Sequence, residues 1–369
     1  MLRAGIVGTG WWTEAEHLPG LQSRRDVEVT ALCGRNPQRL ATLADKFRIP
    51  QRFTDWQEMI SKERLDLAVI VTPNSLHHPI ALVALAKGLH VICEKPLALT
   101  AAQAREMAAA AKARRLQTLT FFTHRTIAAV AQLKRLIDEG FLGTPLHVSA
   151  VYFSASHFAP GKPASWRMRR AEAGTGVLGD IGSHLIDLVR FWLGDFAKVS
   201  GQWQQRTFER PVGGAGFAGD GRSIGGKVDA DEDCSFLAQL KCGAQGVFQA
   251  SKLIAGRGNF QRVELYGDKG SLIYEAEPGL DDNWEGRLFA GRPDRPGLQP
   301  VALPRELTKG LETKDGGRIE AYRRLVDPFF EAIRTGGSAA PDFGDGAAAQ
   351  AVLDAVATSA EQGRWIDIA

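Results

Sequence analysis

The chain has 369 residues, of which 44% are hydrophobic and 24% charged, a globular composition with length enough for two domains, which excludes a disordered or fibrous protein. Its 45 basic and 42 acidic residues are interspersed and sum to +3, so no large cationic field exists to hold nucleic acid or a membrane surface. Cys33, Cys93, Cys234 and Cys242 are too few for a disulfide framework and lack the paired spacing of a zinc site, so no metal is expected.

The opening residues MLRAGIVGTG are a short apolar run broken by glycines, without the features of a signal peptide, and no stretch reaches membrane-spanning length. A cytoplasmic protein with reduced thiols is expected. Short apolar runs LRAGIV, VEVTALC, LDLAVIV, HVICEK and QTLTFF alternate with helically patterned stretches such as PQRLATLADKF, HHPIALVALAKG and TAAQAREMAAAAKARR. This alternation predicts an α/β domain over residues 1–122, a Rossmann-type doubly wound parallel sheet that places ligands beyond the carboxyl ends of its strands.

The first strand runs directly into GTGWWT. Gly8 and Gly10 take the first two glycine positions of a dinucleotide fingerprint, the one for a tight turn and the other for close approach of a pyrophosphate to the next helix. Thr13 stands where a third Gly or Ala is expected. After the second strand, in ALCGRNPQRL, Gly34 replaces the acid that would bind both ribose hydroxyls, and Arg35 comes next. That pair suits a 2′-phosphate, favouring NADP over NAD; Arg35 stacked on adenine with NAD bound is the alternative. The third and fourth strands end in TPNSLHHP and EKP, on the same edge as the fingerprint.

From about Thr123 the pattern changes. The runs LHVSAVYF, CSFLAQL, GVFQASK, QRVELYG and GSLIYE read as strands with short connections, predicting an α+β domain over residues 123–369 with a large, mostly antiparallel sheet open on one face. TIAAVAQLKRLIDEG and GDGAAAQAVLDAVATSAEQG read as its first and last helices. RMRR at Arg167–Arg170 reads as a solvated loop or as partners for a phosphate or substrate oxygen. Residues 211–229, dense in glycine, read as a mobile surface loop. In GTGVLGDIGSHLID a helix beginning near Ile181 would bring Asp180, His184 and Asp187 within about 40° around its axis, with Asp180 suited to an N-cap.

GTGWW, TPNSLHHP, EKP and GTGVLGDIGSHLID, in this order, resemble the Gfo/Idh/MocA family of NAD(P)-dependent oxidoreductases, and the resemblance covers most of the chain. It implies an active site of Lys95, Asp180 and His184. It also implies cofactor contacts from Gly8, Gly10, Trp11, Trp12, Arg35, Thr72, Pro73, Asn74, His77, Glu94 and Lys95, with Arg125 from FFTHR and Trp166 and Arg167 from SWRMRR. The open sheet face is implied to support a homodimer or homotetramer. The substrate implied is a small sugar, polyol or cyclitol.

Hydride transfer from a carbinol needs a base for the hydroxyl proton, and the reverse direction needs an acid. His184 suits that role because imidazole titrates near neutrality. Lys95 would stabilise charge developing on the substrate oxygen and hold the His184 pKa down. Asp180 would bind a second substrate hydroxyl or orient His184, whereas Asp187 would support the helix. A tight turn that aims Lys95 predicts a cis Lys95–Pro96 bond. Two alternatives remain at this point: a glycosidase that uses transient oxidation, and a nucleotide-sensing regulator without catalysis.

Overall fold

The computed structural model describes residues 1–159, 161–211, 226–277, 285–311 and 314–368. The first sheet is parallel throughout and comprises β1 (Leu2–Val7), β2 (Val27–Cys33), β3 (Gln51–Phe53), β4 (Leu67–Ile70), β5 (His90–Cys93) and β6 (Thr118–Thr120). Its order, β3-β2-β1-β4-β5-β6, reverses direction between β1 and β4. That crevice is where a doubly wound sheet receives a dinucleotide. The three exposed or half-buried residues of β3 carry no apolar alternation, so this strand has no signature in the sequence.

Helices cover both faces. α1 (Leu18–Gln22), α2 (Pro37–Lys46), α3 (Trp56–Lys62), α4 (His77–Ala86) and α5 (Ala101–Ala113) come after successive strands. The Asn36, Asp55 and Thr100 side chains accept from backbone N–H groups at the starts of α2, α3 and α5. Successive residues of β1 point to opposite sides. Val7 joins Ala31, Ile70, Val91, Ile80 and Met107 on one face, while Ile6 joins Leu32, Val69, Leu18 and Leu43 on the other. Each such large side chain contributes roughly 1.5–3 kcal/mol when fully buried.

The second sheet contains β7 (Pro145–Phe153), β8 (Phe196–Gln204), β9 (Asp233–Leu240), β10 (Gln245–Ser251), β11 (Phe260–Gly267), β12 (Ser271–Ala276), β13 (Arg287–Arg292), β14 (Arg295–Pro300) and β15 (Ile366–Asp367). It runs β14-β13-β12-β11-β7-β10-β9-β8-β15 and is antiparallel except where β10 pairs in parallel with β7. One face carries Val148, Ala150, Phe236, Phe248, Val263 and Leu265 against α6 (Ala128–Asp138), α8 (Ser183–Leu193), which the single-turn α7 (Arg170–Ala173) precedes in the chain, and a C-terminal helix. The other face leaves Leu237 and Val247, which pair across β9 and β10, exposed.

After the short α9 (Arg305–Thr308), α10 (Lys314–Thr335) crosses back to the first sheet, where Tyr322, Leu325, Val326 and Phe329 pack with Ile6, Leu32 and Val69. α11 (Phe343–Gln362) begins in a capping box of Asp342 and Asp345 and ends at Gly363 in the left-handed region, φ 64°. Its first turn buries Phe343 with Ala104 and Met107, while Val352 and Val356 lie under the second sheet. Most of the glycine-rich stretch, residues 212–225, lies outside the described residues.

Candidate active site

The turn after β1 is shaped for close approach of a ligand. Gly8 has φ 124°, and a Cβ there would sit 2.1 Å from the Val71 carbonyl oxygen, so no other residue fits. At Gly10, by contrast, a Cβ would meet no atom of the described residues within 4 Å, which leaves the outer side of the turn open. Thr13, the departure from the fingerprint, is fully buried and donates its hydroxyl to Gly8 O at 3.0 Å, so it ties the turn to the helix beyond it. Trp12 lines a cleft beyond the turn, whereas Trp11 is 58% exposed and lies under the Arg318 guanidinium at 5.2 Å. At the end of β2, a Cβ on Gly34 would meet Thr9 Cγ2 at 2.3 Å, so an acid has no place there, and Arg35 is exposed beside it.

The β4 and β5 ends supply the next wall. Thr72, Asn74, Glu94, Lys95 and Pro96 line the cleft, and the Lys95–Pro96 peptide is cis, as expected. Asn74 Nδ2 donates to Ala173 O at 2.9 Å, fixing this loop to the second half of the chain. Pro73 precedes it at the start of the same turn. Glu94 Oε1 takes a 2.9 Å hydrogen bond from buried His17; burial pushes the Glu94 carboxyl up, but His17 and Lys95 bring it below its usual range.

His77 corrects the expectation of a cofactor contact. It is fully buried, with Nδ1 3.0 Å from Pro96 O and Nε2 3.0 Å from Thr72 O. The ring thus sits wedged between the two loops, with a carbonyl at each nitrogen; burial lowers its pKa, and the neutral ring donates its one N–H to one of the two carbonyls.

Asp180 stands opposite, in a widened turn (Leu178–Gly182) that runs into α8. Gly176 and Leu178 at the turn's start donate backbone N–H groups to buried Asp231, and a Cβ on Gly176 would collide with Asp231 O at 2.0 Å. Lys95 Nζ donates to Asp180 O at 2.7 Å and lies 3.3 Å from Oδ1; Arg167 Nε is 3.5 Å from Oδ1, and Lys252 Nζ donates to Oδ2. Burial alone would raise this carboxyl, but Lys252, Lys95 and Arg167 hold it well below the usual carboxylate range. Arg167 also stacks over Trp166 at 4.3 Å.

Asp180, His184 and Asp187, expected on one helix face, do not form one group: the widened turn adds a residue between Asp180 and α8 and rotates Asp180 away from the other two, while His184 and Asp187, three residues apart within α8, engage different partners. Asp180 faces the cations. His184 is buried and stacks on His124, ring centroids 3.6 Å apart at 16°, with Tyr152 at 6.2 Å. Burial, His124 and Lys95 hold its pKa well below 6.5, so the ring is neutral rather than titrating near neutrality. Asp187 faces away from the cleft and accepts two hydrogen bonds from Arg125, at 2.9 and 2.6 Å. Arg125 is therefore corrected as well: a buried guanidinium locked on Asp187 and packed over Phe191 at 4.9 Å cannot reach a cofactor.

The cleft joins Trp12, Thr72, Asn74, Glu94 and Lys95 from the first half to Trp166, Arg167, Thr175, Gly176 and Asp180 from the second. Sequence reasoning misses Lys252 and His124. A signal for Lys252 exists: in GVFQASK the two-residue period places it in register with buried Phe248 and Ala250, where a charge needs a partner. Among the described residues no group of three His, Cys, Asp or Glu side chains is placed to hold a metal ion, and no helix is long and apolar enough to cross a membrane.

The sheet order and the glycine turn at its switch point define a dinucleotide-binding α/β fold. The chain belongs to the GFO/IDH/MocA family: residues 2–122 match the oxidoreductase family's NAD-binding Rossmann fold, and residues 130–273 match the GFO/IDH/MocA C-terminal domain. It is 31% identical to levoglucosan dehydrogenase of Pseudarthrobacter phenanthrenivorans, over 100% of this chain and 98% of that protein. Among solved structures, an oxidoreductase domain protein from Kribbella flavida is 32% identical with a TM-score of 0.86, covering 100% of this chain and 99% of that one. A levoglucosan dehydrogenase in complex with NADH and levoglucosan is 29% identical with a TM-score of 0.86, at the same coverage.

Proposed function

We propose that the protein transfers a hydride between the nicotinamide of NAD(P) and a hydroxyl or carbonyl carbon of a sugar, polyol or cyclitol. The observation that carries this reading is the contact across the cleft, in which Lys95 from the end of β5 reaches Asp180 at 2.7 Å and 3.3 Å, one turn before His184. The likeness to a dehydrogenase of an anhydrosugar over the whole chain supports the substrate class.

The residues present fit a dinucleotide, since Gly8 accepts only hydrogen at Cα and Gly10 faces open space at the switch point. Gly8, Gly10, Trp12, Thr72, Pro73, Asn74 and Glu94 would hold it, with Trp11 and Trp166 at its margins; when bound, the nicotinamide supplies the hydride acceptor or donor. Lys95 donates to the substrate oxygen and stabilises the charge that develops there. His184, held neutral, accepts the hydroxyl proton in oxidation and returns it in reduction. Asp180, ionised by three cations, accepts from a second substrate hydroxyl and fixes the Lys95 ammonium.

The same reading divides the chain at residue 122 into a cofactor half and a substrate half, although α10 packs on the former. It takes NADP as the preferred cofactor because of Gly34 and Arg35, places the enzyme in the cytoplasm, and assigns the exposed face bearing Leu237 and Val247 to a homodimer or homotetramer. The test is steady-state kinetics on a panel of sugars, polyols and cyclitols, read by reduced nicotinamide absorbance. Lys95→Ala and His184→Ala should each lower kcat by about two to four orders of magnitude. Near-normal rates in both variants would end this mechanism.

A further inference from the structure

α10 belongs to the second half of the chain, yet its N-terminal part lies against the glycine turn after β1. Three contacts fix its path. Arg318 lies at Trp11 and Glu16, Tyr322 at His17 with ring centroids 5.6 Å apart, and Asp327 pairs with Arg24. Residue numbers rise together along α10 and along residues 11–24, so the two segments run side by side in the same direction, away from the turn. Gly20 permits the approach, because a Cβ there would sit 2.3 Å from Tyr322 Cδ1.

Arg318 is the cation that this packing brings to the turn. Its guanidinium lies over the Trp11 ring at 5.2 Å, and its side chain is 24% exposed, so it stands at the rim rather than in the core. Glu16, the acid that faces it, is a poor partner: Nε stops 3.8 Å from Oε2, and Nε and both Glu16 oxygens are buried without a hydrogen bond among the described residues. Burial raises the Glu16 carboxyl to about 8, more than Arg318 lowers it, so near neutrality Glu16 brings no negative charge. Other cations around the turn and cleft are engaged. Arg39 donates to Thr9 O at 3.2 Å and pairs with Glu14, while Lys95 and Arg167 face Asp180.

We propose that Arg318 is a cofactor-binding residue, carried on α10 of the second half, that receives the pyrophosphate of the dinucleotide at the glycine turn. This rests on the dinucleotide reading above and adds a residue to it. A pyrophosphate brings negative charge to a turn that is open at Gly10. A guanidinium meets phosphate oxygens in a two-point fork, with bonds that charge strengthens. The Trp11 ring holds that guanidinium at the rim by cation–π attraction, and the loose contact with Glu16 leaves little to be broken when the anion arrives.

Calorimetric titration of the whole enzyme without substrate measures dissociation constants for NADP, NAD, ADP-ribose and adenosine. Arg318→Met keeps an alkyl chain over Trp11 and removes the charge. It should weaken NADP, NAD and ADP-ribose by about tenfold or more, and leave adenosine, which has no phosphate, unchanged. The loss should be alike for NADP and NAD, which separates Arg318 from a partner of the 2′-phosphate, and should shrink as salt rises. Arg318→Lys should recover part of it. An ADP-ribose constant unchanged in Arg318→Met, or adenosine weakened as much as ADP-ribose, overturns the inference, because the charge then does not act on the pyrophosphate. If the wild-type enzyme binds neither dinucleotide, the dinucleotide reading falls and this inference with it; wild-type binding that Arg318→Met does not weaken ends this inference alone.

Discussion

Arg125 and Asp187 form a two-point ion pair, 2.9 and 2.6 Å, with side chains 8% and 1% exposed, between the end of β6 and the middle of α8. Removing one partner strands a buried charge. Arg125→Leu or Asp187→Leu should therefore cost about 3–5 kcal/mol of stability, whereas the double replacement should cost markedly less than the sum. Denaturant melts of the two single variants and the double variant measure this. Additive losses would show that the two residues do not act as a pair. At temperatures where the single variants remain folded, cofactor KM should stay within a few-fold of wild type, because neither side chain faces the cleft.

His184 is enclosed by His124 on one ring face, by Tyr152 and Phe122 at its edges, and by the charges of Lys95 and Asp180. Burial, His124 and Lys95 favour the neutral ring and only Asp180 opposes them, so the proton acceptor is present throughout the neutral range. Oxidation should hold its kcat/KM as pH falls through 6.5, with the acid limb lying below that value. A profile of kcat/KM against pH for oxidation checks this. A limb centred at or above 6.5 would mean that the ring titrates as a solvated histidine.

The readable part of the molecule is the part written in local pattern. β1, β2, β4 and β5 announce themselves as short apolar runs, and the loops after them carry the glycines, the TPN turn and EKP within a few residues of each strand end. What escapes is set by distant partners. α10 reads poorly because Gly316, Gly317 and Pro328 interrupt its period, although Tyr322 and Phe329 complete the core around Ile6. β14 is exposed along its length and has no alternation to detect. The motifs around His77 and Arg125 assign both residues to the cofactor. Their actual partners, the Pro96 carbonyl and the Asp187 carboxylate, lie 19 and 62 residues away and are visible only once the chain is folded.

Cofactor choice turns on the end of β2. Gly34 lies against Thr9, so no acid can claim the ribose hydroxyls, and exposed Arg35 is the nearest cation in sequence to a 2′-phosphate. The expected kcat/KM is higher with NADP than with NAD. Arg35→Ala should lower the NADP value about tenfold or more while changing the NAD value little, since a charge-assisted contact is worth roughly 1.5–3 kcal/mol. Initial rates with both cofactors decide it. A strong native preference for NAD, or equal losses with both, would remove NADP from the proposal.

Glu16 lies just past the glycine turn and is buried with neither carboxylate oxygen hydrogen-bonded; Arg318 Nε remains 3.8 Å away. Burial raises its pKa from 4.5 to about 8, more than Arg318 lowers it. Between those values the unfolded chain has released this proton and the folded chain retains it, so the folded state binds more protons and its stability falls as pH rises. At pH 7 that difference amounts to about 3 kcal/mol. Below the unfolded value both states are protonated and the loss disappears. Glu16→Gln, which keeps the shape and removes the ionisation, should stabilise the protein by about 2–3 kcal/mol near pH 7–8, with the gain vanishing near pH 4. Denaturant melts of both proteins across this range measure the difference. A loss of stability in Glu16→Gln that grows as pH rises above 4 would show that Glu16 is ionised in the folded state and held by Arg318.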